Sequence, residues 1–373
     1  MPSTVGIISS GNLPKPAWEV TTPAFTYGVY ASQTVAITSA PIATVSLNSG
    51  SLPTGVSWSY SNNVLTLSGT PTSKTAYTAT FRATNGAGFT DNVISGTPTV
   101  NKIVATGGTV TDYNGYRIHE FTSLGNLVIT SGVDDIELVL LGGGGGGAGD
   151  GNGAGGAGAG GKVQTILTRR SSGTYPVVIG GGGAAGGNYQ EGTNGANSTA
   201  FSLTALGGGG GGDYATGLSG GCGGGAGFGG YRGSGSQGGN GGAYGFYNGG
   251  GGGGIGDEYY VGTGSNGNSS PNETGGSGGL GTTVPWTYDP SNGSQLRWKP
   301  GLGGLKGGGG GGGGGNGGGA SQGGLGGGGY GVGNNTGGLL ANAGSINTGG
   351  GGGSGYSGGA AGGSGYVALR YLL

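Results

Sequence analysis

The chain has 373 residues, 112 of them glycine, far above the usual share of about 7% in soluble domains. Charged residues make up 7% and the formal net charge is −1, which excludes the basic field that a phosphate backbone needs, so nucleic acid is not expected as a partner. The single cysteine, Cys222, cannot close an internal disulfide, and no zinc or haem spacing occurs, so neither a cofactor nor a metal is expected.

The N-terminus, MPSTVGIISSGNLPKPAWEV, lacks a basic start followed by a long apolar run, so no signal peptide is expected. No segment reaches the roughly 18 consecutive apolar residues of a membrane span, and no membrane insertion is expected. Pro14, Pro16 and Trp18 suggest an extended docking strand within an attachment segment, residues 1–21. Beyond it, strand signals dominate and helical periodicity is almost absent. Residues 34–38 (TVAIT), 43–47 (ATVSL), 64–68 (VLTLS) and 76–84 (AYTATFRAT) alternate apolar and polar side chains between Gly, Pro, Asn and Ser turns. Their spacing predicts a small β-sandwich over residues 22–101.

From Ile103 a second module is expected, 102–373, with strands within 116–141, 162–179 and 365–372. Tyr116–Phe121, Asn126–Thr130 and Ile136–Leu141 read as three strands, with His119 facing outward and Asp134, Asp135 and Glu137 as solvated turn residues before a buried strand. Glycine then takes over: 14 glycines fall in the first 141 residues, leaving 98 for the remaining 232. Pure runs recur at 142–147, 207–212, 249–254, 307–315 and 349–353.

A Gly/Ser-rich composition alone favours a flexible coil. The purity of the runs, their punctuation by small or aromatic residues and the strands at both ends favour packing instead. The expected packed form is a set of left-handed polyglycine-II helices, which lack internal hydrogen bonds and must bond to their neighbours. Asn152, Asn240 and Asn316 fit positions on the outside of such a bundle.

Two family resemblances accompany this reading. The string SGSLPTGVSWSYSNNVLTLSGTPTSKTAYTATFRATNGAG, residues 49–88, resembles the immunoglobulin-like repeat of bacterial and phage surface proteins, with Pro53, Pro71, Gly55, Gly69 and Gly86 at its turns. YRIHEF, IELVLLGGGGGG, YPVVIGGGG, GTNGANSTAF and GGSGYVALRY resemble the glycine-rich domain of phage tail-fibre and surface proteins. Together they imply an all-β protein: an immunoglobulin-like sandwich followed by a β-framed glycine-rich domain with packed polyglycine-II helices. They also imply a virion location, with the chain made in the host cytoplasm and released with assembled particles.

Chemical motifs are weak. GAGAGGK, 156–162, spells the start of a P-loop but fails at Val163, where Ser or Thr must bind magnesium, and it precedes a strand. His119 is the only histidine and reads as a surface or packing residue, while Asp257, Glu258 and Glu273 define no paired-carboxylate geometry. No catalytic residue, and no enzyme, is expected. Binding is the better reading. The interruptions 255–274 and 282–300 carry Tyr259, Tyr260, Trp286, Tyr288 and Trp298, and AYGFYN, 243–248, adds Tyr244 and Phe246. Planar rings beside amides and carboxylates suit a host glycan or protein receptor; the bland reading is that such aromatics cap the glycine helices, as favoured for Tyr247 and Tyr330. The expected function is that of a tail-fibre or other host-contact component, held by other virion proteins through residues 1–21 and compatible with a homo-oligomer. The alternatives are a capsid or tail decoration protein and an ice-binding protein.

Overall fold

The structure, a computed structural model, describes residues 13–149, 153–245, 247–256, 264, 275–283, 305–306, 320–333 and 340–373. Every regular element among them is a β-strand, so the all-β expectation holds. The chain divides into two compact units. The first comprises Met1–Val104, Thr130–Asp135 and Thr168–Ser172, the second Ala105–Ile129, Ile136–Leu167 and Gly173–Leu373.

The first unit is built from strands whose apolar side chains recur every second residue and therefore share one face. These strands are β1 (Ala17–Trp18), β2 (Ala31–Thr38), β3 (Thr44–Ser51), β4 (Val56–Ser61), β5 (Val64–Gly69), β6 (Tyr77–Asn85) and β7 (Gly88–Gly96), with β8 (Asn101–Thr106) at its end. They form two antiparallel sheets, β1-β2-β5-β4 and β3-β6-β7. Val35, Leu65 and Leu67 from the first sheet pack against Ala79, Phe81 and Ile94 from the second, with Phe25 and Tyr77 closing the core. The sequence expectations omitted β4 and β7; β4 pairs with β5 through a two-residue turn. Asn62 and Asn63 both sit at positive φ, 49° and 61°, the backbone such a tight hairpin requires. Asn63 is held there because its Oδ1 accepts from Ala43 N and Tyr60 Oη.

The remaining strands form a sheet of order β15-β14-β13-β11-β18-β10-β9, with β12 and β8 also paired to β11; it belongs to the second unit except for residues 130–135 of β11, 168–170 of β12 and most of β8. Its members are β9 (Thr109–Tyr113), β10 (Tyr116–Phe121), β11 (Gly125–Leu141), β12 (Lys162–Arg170), β13 (Gly173–Val178), β14 (Ser198–Ala200), β15 (Leu203–Ala205) and β18 (Tyr366–Leu372). The short pair β16 (Thr282–Thr283) and β17 (Leu305–Lys306) stands apart. The closing strand pairs with both β10 and β11, and Ile118, Val139, Leu141, Tyr366 and Ala368 form a core cluster.

Two expectations are corrected here. The segments 126–130 and 136–141 belong to one strand, β11, and Asp134 within it is buried rather than solvated. It is accommodated because the Lys74 ammonium meets its carboxylate. His119, expected to face outward, is fully buried. Burial is tolerated because Nδ1 donates to Gly107 O at 2.7 Å and Nε2 accepts from Tyr371 Oη at 3.0 Å, so the ring is satisfied as a neutral imidazole.

The glycine region hydrogen-bonds between segments rather than within them. Along 142–149, backbone N–H groups donate in rotation to three neighbours. Residues 142, 145 and 148 donate to 161, 158 and 155; residues 143, 146 and 149 donate to 196, 193 and 190; residues 144 and 147 donate to 363 and 360, all at 2.9 to 3.2 Å. The carbonyls follow the same three-residue rhythm, accepting from 208 and 211, from 183 and 186, and from 352 and 355. One segment is therefore enclosed by six others. A Cβ at any of Gly142 to Gly147 would lie well inside 3.0 Å of a neighbouring carbonyl oxygen, so close approach forbids a side chain along that run. Cys222 is fully buried among these segments because its Sγ occupies the space a side chain on Gly238 would need.

Outer segments complete their bonding with short side chains. Asn194 and Asn197, three residues apart, accept from Gly210 N and Gly207 N at 2.9 and 2.8 Å. Thr216 and Ser219 accept from Tyr231 N and Ser234 N, and Asn240 accepts from Gly235 N. Asn152 and Asn316 lie outside the described residues.

Candidate functional site

One set of reversals between glycine segments lies at the end of the second unit away from its strands, while others, at 236–238 and 346–349, turn back beside the strands. Leu141 and Lys162 enter and leave the sheet where Gly142 N bonds to Gly161 O and Gly161 N to Leu206 O. Eight residues further on, Gly149 is level with Asn188 and Gly355 through parallel bridges, and it exchanges both backbone bonds with Gln190. Gly155, Gly212 and Gly225 bond in series near that level, Ala226 N reaches Gly242 O, and Phe228 N reaches Gly153 O.

Beyond this level the turns carry aromatic rings: Tyr189, Tyr214, Phe228, Tyr231, Tyr244, Tyr247 and Tyr356. The six tyrosines are all exposed, from 36% for Tyr247 to 80% for Tyr231. Phe228 is the hub of four of these rings. Tyr247 stacks on it with centroids 5.1 Å apart and planes within 4°, while Tyr214 and Tyr244 meet it edge-on at 5.6 and 6.0 Å.

Backbone conformation singles these turns out. Tyr189, Tyr214 and Tyr247 have φ of 55°, 43° and 57°, a left-handed conformation that costs an L-residue roughly 1–2 kcal/mol and that glycine adopts freely. A chain with 112 glycines thus places tyrosine at turning points where glycine is the least strained choice. Strain of this kind, held by the surrounding structure, concentrates at functional sites.

Of the residues expected to bind a receptor, Tyr244 lies in this ring cluster. Tyr259, Tyr260, Trp286, Tyr288, Trp298 and Phe246 lie outside the described residues. Tyr247, expected as a cap, lies against Phe228 yet stays partly exposed, and Tyr330 is exposed beside Gly329, short of the tips. Tyr189, Tyr214, Phe228, Tyr231 and Tyr356 were missed. Their signal was available: each falls where one small-residue run gives way to the next.

Other groups offer little chemistry. Burial holds the His119 imidazole below its ordinary pKa and pushes the Cys222 thiol up to about 12, so neither is poised to react near neutrality. A groove of about 490 Å³ is lined by Glu137, Gln164, Thr165 and Ile166, and its carboxylate is engaged by Arg370 at 2.8 Å. Among the described residues no group of three or more His, Cys, Asp or Glu could hold a metal ion.

No protein of curated function matches the chain. The family model for the glycine-rich domain matches residues 121–372, from the end of β10 to the end of β18, and so takes in the sheet, the bonded glycine segments and the aromatic turns. That span is more than half of the sequence, and the chain belongs to the glycine-rich domain family.

Proposed function

We infer that the protein is a bacteriophage virion surface component, part of a tail fibre or another host-contact appendage, whose aromatic turns bind a host cell-surface glycan or protein. The observation that carries the reading is the placing of Tyr189, Tyr214 and Tyr247 at left-handed turns of an otherwise glycine-built end. Strain without a use is readily lost, because a single Tyr→Gly change at such a position would relieve it. Tyrosine offers a binding surface broad contact area at low entropic cost.

In this reading the glycine segments are polyglycine-II helices. The three-residue rotation of donors and acceptors around 142–149 supports it, since that helix has 3 residues per turn. The eight residues of that segment would extend about 25 Å at a rise of about 3.1 Å, setting the rings well away from the sheet. The two-sheet first unit is then an immunoglobulin-like spacer, and residues 1–21 attach the chain to other virion proteins. The virion assignment itself rests on the resemblance of the two modules to phage surface proteins.

The test compares wild-type protein with a Tyr189→Gly, Tyr214→Gly, Tyr247→Gly variant for binding to bacterial cells and to arrayed bacterial surface glycans. Glycine suits each backbone, so the variant is expected to stay folded and to lose binding at least tenfold. Equal binding by both proteins overturns the role of the turns. Binding to phage particles but not to cells would favour a decoration protein, and thermal hysteresis would favour ice binding.

A further inference from the structure

The first unit holds a cluster of amine and carboxylates that neither its packing nor the aromatic turns require. Lys74, in the loop between β5 and β6, places Nζ 2.5 Å from Asp134 Oδ1 and 2.9 Å from Asp135 Oδ2. Asp134 is 1% exposed; its Oδ1 also accepts from Asp135 N at 2.8 Å, while its Oδ2 is buried with no hydrogen-bond partner. Asp135 is fixed through its other oxygen, which accepts from Tyr27 Oη at 2.7 Å and Arg169 N at 3.0 Å. The Tyr27 ring lies 4.8 Å from the ammonium and walls the cluster.

An ionised carboxylate buried with one bare oxygen is a poor end state. A neutral amide at the same place removes the charge. The geometry points to a covalent bond between Lys74 and Asp134, an intramolecular amide formed by this chain itself, with Asp135 carrying the protons.

The proton inventory suits that reaction. One ammonium and two carboxylates hold the proton needed: its transfer from Nζ to Asp134 leaves a neutral amine against a neutral carboxylic acid. Nζ then attacks Cγ of Asp134. Asp135 Oδ2, in contact with Nζ, takes the second nitrogen proton and returns it to the departing hydroxyl. The new bond is Nζ–Cγ, the broken bond is Cγ–O, and one water leaves. Asp135 ends ionised as it began, and no oxidant or external reactant is consumed. The link would close a chain separation of 60 residues and restrict the unfolded ensemble.

Intact mass spectrometry of the full-length protein tests this without relying on any variant. The wild-type mass is expected to fall below the sequence mass by one water, and tryptic digestion to release a branched peptide joining Lys74 to Asp134. Asp134→Asn should converge on the same mass by losing ammonia, because the product amide is identical. Lys74→Arg, which keeps the charge but cannot form the bond, should keep its full sequence mass, and Asp135→Asn should react more slowly. A folded wild-type protein that retains its full mass after prolonged incubation near neutral pH, with Lys74 open to reductive methylation, overturns the proposal and leaves a plain ion pair.

Discussion

The sharpest test of the packed glycine region uses two glycines that face each other. Gly143 donates to Ala196 O and accepts from Gly208 N, and a Cβ on it would press into Gly181 O. A methyl group there must push the 180–187 segment outward. That strains the bond from Ala196 N to Gly181 O and those from Gly183 N and Gly186 N to Gly144 O and Gly147 O, at 2.8 to 2.9 Å. Overpacking costs about 1–3 kcal/mol and a weakened hydrogen bond about 1 kcal/mol, while the stiffer unfolded chain returns about 0.4–1 kcal/mol. Gly143→Ala is therefore expected to destabilise the second unit by roughly 2–3 kcal/mol. Gly181 is exposed, a Cβ on it meets nothing within 4 Å, and its φ is not left-handed, so Gly181→Ala should be neutral or stabilising by up to about 1 kcal/mol. Urea unfolding, with amide exchange read over 180–196, separates the two. Equal effects of the two substitutions, or rapid exchange of these amides in the wild type, would refute the reasoning.

Three further outcomes follow from burial. His119 has a folded pKa held below its unfolded value of about 6.5, so its stabilising contribution is complete above that pH and is lost as pH falls through the window down to the folded pKa; a His119→Phe variant should show a flatter urea midpoint over that acid range, and an unchanged slope would count against a neutral buried ring. Cys222, buried with its thiol pushed up to about 12, should resist a thiol reagent in native buffer and react fully in denaturant, whereas immediate native labelling would contradict its burial. Phe228→Ala removes three ring contacts worth about 0.5–1.5 kcal/mol each and should speed exchange in turns 213–216 and 243–248; a uniform loss of protection across the unit would show that the ring cluster is not a local feature.

Much of the first unit was legible because its information is local. Val35 and Ile37, Leu65 and Leu67, and Tyr77, Ala79, Phe81 and Ala83 alternate with polar neighbours, and the burial of each strand follows that alternation. Two of the hairpins that escaped notice, β4–β5 and β9–β10, were also written locally, in Asn62-Asn63 and Asn114-Gly115, whose positive φ values make tight turns. His119 and Asp134 misled because their burial depends on Tyr371 and Lys74, 252 and 60 residues away.

Strand patterns and composition were enough to establish an all-β chain with two compositional regimes and a glycine region framed by strands. Which glycine meets which, the enclosure of 142–149 by six segments and the gathering at one end of aromatic residues spread from Tyr189 to Tyr356 emerge only in the folded chain. The reason is physical. Strand patterns are read from side chains, and glycine has none, so in this region the pairing information resides in backbone groups that look alike at every position until neighbours are in place.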